Sequence, residues 1–97
     1  MPRRPCVYIL ASGYRGTLYI GVTTDLARRM SEHRDAGRES FVGRYDARRL
    51  VYAEHHDRID DAIRREKHLK RWRRAWKIRL IEEANPDHFL RYLGNRA

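Results

Sequence analysis

The sequence predicts an α+β domain. Three observations predict it. Two β-branched and aromatic runs flank a glycine-containing turn near the N-terminus, a third such run lies mid-chain, and segments with helical spacing of apolar residues separate and follow them. The first run is Cys6 to Leu10 and the second is Thr17 to Gly21, joined by Ala11-Ser12-Gly13-Tyr14-Arg15-Gly16. This is the pattern of a β-hairpin. With the loop centred between Gly13 and Tyr14, Tyr8 stands directly opposite Tyr19 on one face.

Thr24 or Asp25 caps the helix that follows; Leu26, Met30 and His33 continue it, and Gly37 suits its end. Residues 38–47 show no period and read as a loop. Residues 48–54 form the third strand, closed by His55-His56-Asp57. A second helix starts at Asp57 or Asp60 and reaches Lys70 or Arg71, with Ile59, Ala62, Ile63 and Leu69 as its apolar stripe. After a break near Trp72, a third helix runs from about Arg74 to Ala84, stopped by Asn85-Pro86. Phe89, Leu90, Tyr92 and Leu93 suit a tail that packs back as a short turn.

With 97 residues the expectation is one domain over 1–97, without a separate targeting domain. A net charge of +9 favours a polyanionic partner, most often nucleic acid, although acidic membranes or proteins answer the same field. No run approaches the ~18 apolar residues of a membrane span, and the N-terminus is too short and too strand-like for a signal peptide. The single cysteine excludes an internal disulfide and a Cys-rich zinc site, and the expected compartment is a reducing cytoplasm. Cys6, inside a strand, reads as a small buried residue rather than a nucleophile.

Few residues carry chemistry. Glu66 falls in the middle of the apolar stripe of the second helix, where a carboxylate costs several kcal/mol unless paired. Either an arginine pairs with it, or it faces a cleft as a metal-binding or catalytic carboxylate; one carboxylate with water suffices for Mg²⁺. Arg29 and His33, four apart, share a helix face that is either solvated or converges on one ligand. There an arginine clamps phosphate and a histidine moves a proton near neutral pH. Tyr8 and Tyr19 are either core aromatics or, next to a cation, histidine or metal, activated phenols. The run from Lys67 to Lys77 interleaves Lys67, Lys70, Arg71, Arg73, Arg74 and Lys77 with Trp72 and Trp76. It is either a solvated face or a surface that tracks phosphates.

Together these residues stand in a familiar order: Cys6-Val7-Tyr8, then Tyr19-Ile20-Gly21, then Arg29, His33 four later, and Glu66 within Ala62-Ile63-Arg64-Arg65-Glu66-Lys67. The chain resembles the GIY-YIG endonuclease superfamily over roughly residues 5–85, specifically its small stand-alone bacterial members of the UPF0213 type. The resemblance implies a small three-stranded antiparallel sheet flanked by helices, and hydrolysis of DNA phosphodiesters with one divalent ion, Mg²⁺ or Mn²⁺. It implies catalytic roles for Tyr8, Tyr19, Arg29, His33 and Glu66, with Glu66 the metal ligand and either tyrosine the base. Three positions depart from the pattern. Cys6 replaces the first motif glycine, Val22 stands where many members have lysine, and the late asparagine of repair-type members has no match, Asn85 coming too late.

The expected function is therefore a metal-dependent DNA endonuclease of DNA repair or processing, choosing its substrate by structure (nick, flap or branch) or through a targeting protein. RNA remains open as a second substrate. The alternative is a catalytically silent nucleic-acid-binding module of the same fold; an adaptor for an acidic protein is a third.

Overall fold

The computed structural model describes residues 4–13 and 16–85. Its elements, in order, are β1 (Cys6–Ala11), β2 (Leu18–Thr23), α1 (Leu26–Arg34), α2 (Phe41–Tyr45), β3 (Arg49–His55), α3 (Ile59–Arg71) and α4 (Arg74–Ala84). The strands form one antiparallel sheet in the order β2-β1-β3. The expected tail packing of Phe89, Leu90, Tyr92 and Leu93 lies outside the described residues.

β1 is the central strand, and all six of its residues are buried. It is covered on both faces, which is why it reads as a continuous apolar run rather than an alternation. Val7, Ile9 and Ala11 pack with Ile20 and Val51 against Ala62 and Leu69 of α3 and Ile81 of α4. Tyr8 and Leu10 point the other way, into a smaller cluster with Val42 of α2, joined by Tyr19 and by Leu26 and Met30 of α1. The sheet is thus a middle layer with α3 and α4 on one side and α1 and α2 on the other.

The hairpin register differs from the expected one. Tyr8 pairs with Gly21, and Tyr19 pairs with Leu10. Both strands continue to Ala11 and Leu18, and Ser12 N donates to Thr17 O at 3.0 Å, so the turn is centred one residue later than expected. The partner of Tyr8 moves by two residues, which preserves parity, so the two tyrosines still share a face.

Asp25 is the cap of α1; its Oδ1 accepts from Arg28 N at 3.2 Å. The helix ends at Arg34 with Asp35 as its C-cap, two residues before the expected Gly37. The supposed loop over 38–47 contains α2. Ser40 caps it, its Oγ accepting from Gly43 N at 3.0 Å, and Asp46 ends it in the left-handed region at φ 54°. A side chain at Gly43 is impossible: a Cβ there would sit 1.8 Å from Gly37 O. Five residues are too few to show a period, and tertiary contact at Val42 holds this turn of helix in place. α3 and α4 run as expected, with the break at Trp72. Asn85 ties the end of α4 to the sheet, its Nδ2 donating to Val51 O at 2.6 Å. No described helix is long and apolar enough to cross a membrane.

Candidate active site

Four of the five candidate catalytic residues meet on the α1 side of the sheet. β1 supplies Tyr8, β2 supplies Tyr19, and one turn of α1 supplies Arg29 and His33. The rings of Tyr8 and Tyr19 lie 6.2 Å apart, and the His33 ring is 5.7 Å from Tyr8 and 5.4 Å from Tyr19. Tyr8 is 0% exposed. Its Oη lies 2.8 Å from His33 Nε2, and Arg29 Nε donates to the same oxygen at 3.4 Å. Tyr19, Arg29 and His33 line an open cleft of about 350 Å³ together with Ser40, Phe41 and Val42.

The electrostatics assign the protons. Burial pushes the Tyr8 phenol up to about 12, against the opposing pull of Arg29. Tyr8 is therefore protonated at neutral pH. Burial also lowers His33 below its ordinary value, and the charge of Arg29 lowers it further, while Glu32 opposes in part. His33 is then a neutral imidazole at pH 7. In the tautomer that leaves Nε2 as the acceptor, the Tyr8 O–H donates to His33 Nε2, Tyr8 Oη accepts from Arg29, and the imidazole proton sits on Nδ1. The bond to Tyr8 raises the pKa of Arg29, so its charge is secure.

Gly21 makes room for this arrangement. It faces Tyr8 across the hairpin, and a Cβ there would stand 2.5 Å from the phenolic oxygen. The glycine is needed for close approach by a neighbouring side chain, not for a special backbone angle. The position of Tyr8 opposite it, visible only once the register is known, is the signal that explains it.

Glu66 comes from the other helical layer. It sits on α3, which packs across β1 and β2. Its side chain is 16% exposed, and its described ion pair is with Lys70 Nζ at 3.6 Å. Among the described residues its ion-pair partner is a lysine rather than the arginine weighed for it; Arg65, next along, is bound to Glu54. Among the described residues no group of three His, Cys, Asp or Glu forms a metal cage. A carboxylate whose described ion pair is with one exposed lysine fits Mg²⁺ or Mn²⁺, since Mg²⁺ keeps several waters and needs one or two protein carboxylates.

The predicted nucleic-acid residues lie on the α3–α4 side. Lys67, Lys70, Arg71, Arg73 and Arg74 are exposed, and Lys77 is half-buried. Several are already engaged: Lys70 with Glu66, Lys77 Nζ with Lys70 O at 3.3 Å, and Arg74 with Gly16 O. Trp72 packs on the core and Trp76 is exposed under Arg73, so one tryptophan anchors the run and one faces solvent.

A second polar network escaped sequence reasoning. Glu54 accepts from Tyr52 Oη at 2.6 Å, contacts His56 Nε2 at 2.6 Å, and receives Arg65 Nε on both oxygens at 3.2 and 3.1 Å. Arg65 also lies over the Trp72 ring at 5.1 Å. Burial raises the Glu54 pKa, but the bonds from Tyr52 and His56 and the charge of Arg65 outweigh it and hold the carboxyl below its usual value. Alternate polar residues on an edge strand look like a solvent-facing pattern, so the sequence carried no signal for this network.

What the first cluster can do is bind an anion and move a proton, on a three-stranded antiparallel sheet with helices on both faces. The family model of the GIY-YIG catalytic domain matches residues 4–79. The chain belongs to this nuclease family. It is 38% identical over 91 residues to the UPF0213 protein ORF82 of Orgyia pseudotsugata multicapsid polyhedrosis virus, covering 92% of this chain and 86% of that one. It is 33% identical to a UPF0213 protein of Syntrophus aciditrophicus, covering 84% and 92%, and 39% identical to the UPF0213 protein NP_0776A of Natronomonas pharaonis, covering 79% and 89%. Among solved structures it is similar to the solution NMR structure of the UPF0213 protein BH0048 from Bacillus halodurans, with 30% identity, a TM-score of 0.49, and coverage of 81% and 83%.

Proposed function

We propose that the protein is a divalent-metal-dependent DNA endonuclease whose catalytic residues are Tyr8, Tyr19, Arg29, His33 and Glu66. The observation that carries the reading is the short bond between the buried Tyr8 phenol and neutral His33, with Arg29 on the same oxygen. Arg29 is 40% exposed at its side chain and holds Tyr8 by a long bond. An incoming phosphodiester draws the guanidinium toward itself by charge-assisted bonds and uncovers the phenolic oxygen. The attacking water then gives its proton to Tyr8 Oη as the phenolic proton passes to His33 Nε2, so no free phenolate forms at neutral pH. Arg29 neutralises the charge that develops on the phosphoryl oxygens. Tyr19, on the cleft wall, orients the phosphate and the water. Glu66 would hold one Mg²⁺ or Mn²⁺, which when bound polarises the phosphoryl oxygen and stabilises the leaving oxygen.

The substrate is DNA selected by its structure, as in repair and processing of nicks, flaps or branches, or delivered by a targeting protein. The basic residues Lys67, Lys70, Arg71, Arg73, Arg74 and Lys77 supply sequence-independent attraction to phosphate. The engagement of Glu66 by Lys70 favours a second reading, a silent nucleic-acid-binding module. A cleavage panel decides between them: supercoiled, nicked, flapped, branched and single-stranded DNA with Mg²⁺, Mn²⁺ or EDTA. Metal-dependent cutting supports the enzyme. Binding without cutting on every substrate supports the module.

A further inference from the structure

Beside the catalytic cluster the fold displays two aromatic side chains that the chemistry above does not use. Phe41 and Tyr45 of α2 are 46% and 47% exposed. Their rings lie 4.8 Å apart, and Phe41 lies 5.8 Å from Tyr19, so a continuous aromatic strip leads out of the cleft. The strip is not a loose loop. Val42, between the two exposed aromatic residues, is buried against Tyr8 and Leu10; Ser40 caps the helix; Gly43 touches the backbone of Gly37. Arg48 staples the segment to α1, donating to the carbonyls of His33, Arg34 and Ala36. Burying Phe41 would favour folding, so its display on a fixed support calls for a ligand.

The surroundings say which ligand. A second open cleft of about 610 Å³ adjoins the first through Ala36 and is lined by Arg38, Arg44 and Arg48. Arg48 is tied to Asp46 and the α1 carbonyls, whereas Arg38 and Arg44 are exposed and have no acidic partner among the described residues. An exposed aromatic face next to unpaired guanidiniums suits a nucleobase and its phosphate: rings accept any base by stacking, and guanidinium binds phosphate in two parallel bonds.

The geometry points to α2 as a strand-holding element. Phe41, backed by Tyr45, stacks on an unstacked base next to the scissile phosphate, and Arg38 and Arg44 take the following phosphate. The location beside the scissile phosphate rests on the nuclease reading; the stacking and phosphate contacts do not. A base can reach Phe41 only by leaving its own stack, so this element selects DNA in which the nucleotide at that position is already free or easily extruded.

The test uses the whole protein and DNA oligonucleotides carrying 2-aminopurine at successive positions, titrated in EDTA, where nothing is cut. Stacking changes the fluorescence of this base. The proposal expects the response at one position only, its loss in Phe41→Ala with binding weakened ~10- to 100-fold, and its recovery in Phe41→Trp. An abasic site at the responding position weakens wild type by a similar factor and leaves Phe41→Ala unaffected. The pair Arg38→Ala and Arg44→Ala lowers the slope of log affinity against log salt by about 2. The idea is overturned if Phe41→Ala binds like wild type, or if the abasic penalty is the same in both proteins. Full loss of the aminopurine response in wild type, which a protein partner for this strip predicts, also overturns it. A wild type that shows the response yet never cuts with metal leaves this surface standing and removes the nuclease reading.

Discussion

Gly21 and Tyr8 face one another across the β1–β2 hairpin, and the phenolic oxygen occupies the space that any side chain on Gly21 would need, 2.5 Å from a Cβ. Gly21→Ala is therefore expected to act through Tyr8. The ring is wholly enclosed and has nowhere to retreat, so the substitution destabilises by about 1–3 kcal/mol, the usual cost of overpacking. It also lengthens the Tyr8–His33 bond and lowers cleavage. Urea unfolding and a cleavage assay on one sample check both; normal stability with normal cleavage contradicts the packing described.

His33 gives the protein a sensitivity to acid. Its folded-state pKa lies below the ordinary 6.5 because of burial and the Arg29 charge. The unfolded chain therefore takes up this proton more readily than the folded one. Stability from this residue is present above pH 6.5 and is lost as pH falls through the window below it. Cleavage falls over the same window, since a protonated imidazole cannot accept from Tyr8. Unfolding at pH 7 and pH 5 should separate wild type from His33→Gln, whose acid loss is smaller. The acid limb of cleavage should vanish in the variant along with most of the rate.

At the other end of the scale, Tyr8 and Tyr52 are held protonated up to about 12, mainly by burial. Unfolded tyrosines ionise near 10. Their contribution is constant below pH 10 and is lost as pH rises from 10 toward 12, by roughly 2–3 kcal/mol for the fully enclosed Tyr8. Tyr8→Phe should flatten the difference between unfolding free energies at pH 9 and 11.5. An unchanged difference contradicts the burial of the phenol.

Glu54 is the counterpart on the far side of the sheet. Removing it leaves Arg65 beneath the α3 layer without its carboxylate, and frees the hydroxyl of Tyr52. Glu54→Ala should cost about 2–4 kcal/mol, as expected when one member of a largely buried pair is taken away. Glu54→Gln should cost less, because it keeps the acceptor for Tyr52. Equal stability of all three proteins in urea would mean that the network holds nothing together.

Much of this was legible in the sequence. The three strands, α1, α3, α4 and the break at Trp72 follow from apolar spacing and breakers. The shared face of Tyr8 and Tyr19 survives a register error because parity, not pairing, decides the face. The exact partner of Tyr8 was not legible, since β1 runs one residue further, to Ala11, and β2 begins one residue later, at Leu18, which moves the turn centre. α2 was hidden for a different reason: one and a half turns carry no period, and its stability comes from Val42 in the core and Gly37 against Gly43. Arg29 and His33 could be paired by their i, i+4 spacing alone, but their meeting with Tyr8 requires the tertiary fold. The place of Glu66 on the apolar stripe was readable and its partial burial agrees; that its neighbour would be Lys70 rather than an arginine was not.

The most direct measurement is single-turnover cleavage by wild type and Glu66→Ala of the DNA structure that wild type cuts best, with Mg²⁺, at DNA concentrations that saturate both proteins. The account predicts that wild type cuts only with metal, and that the variant binds the DNA within a fewfold of wild type yet cuts more than about 100-fold more slowly. Equal metal-dependent cutting by the two proteins would contradict it, because Glu66 would then have no part in the reaction.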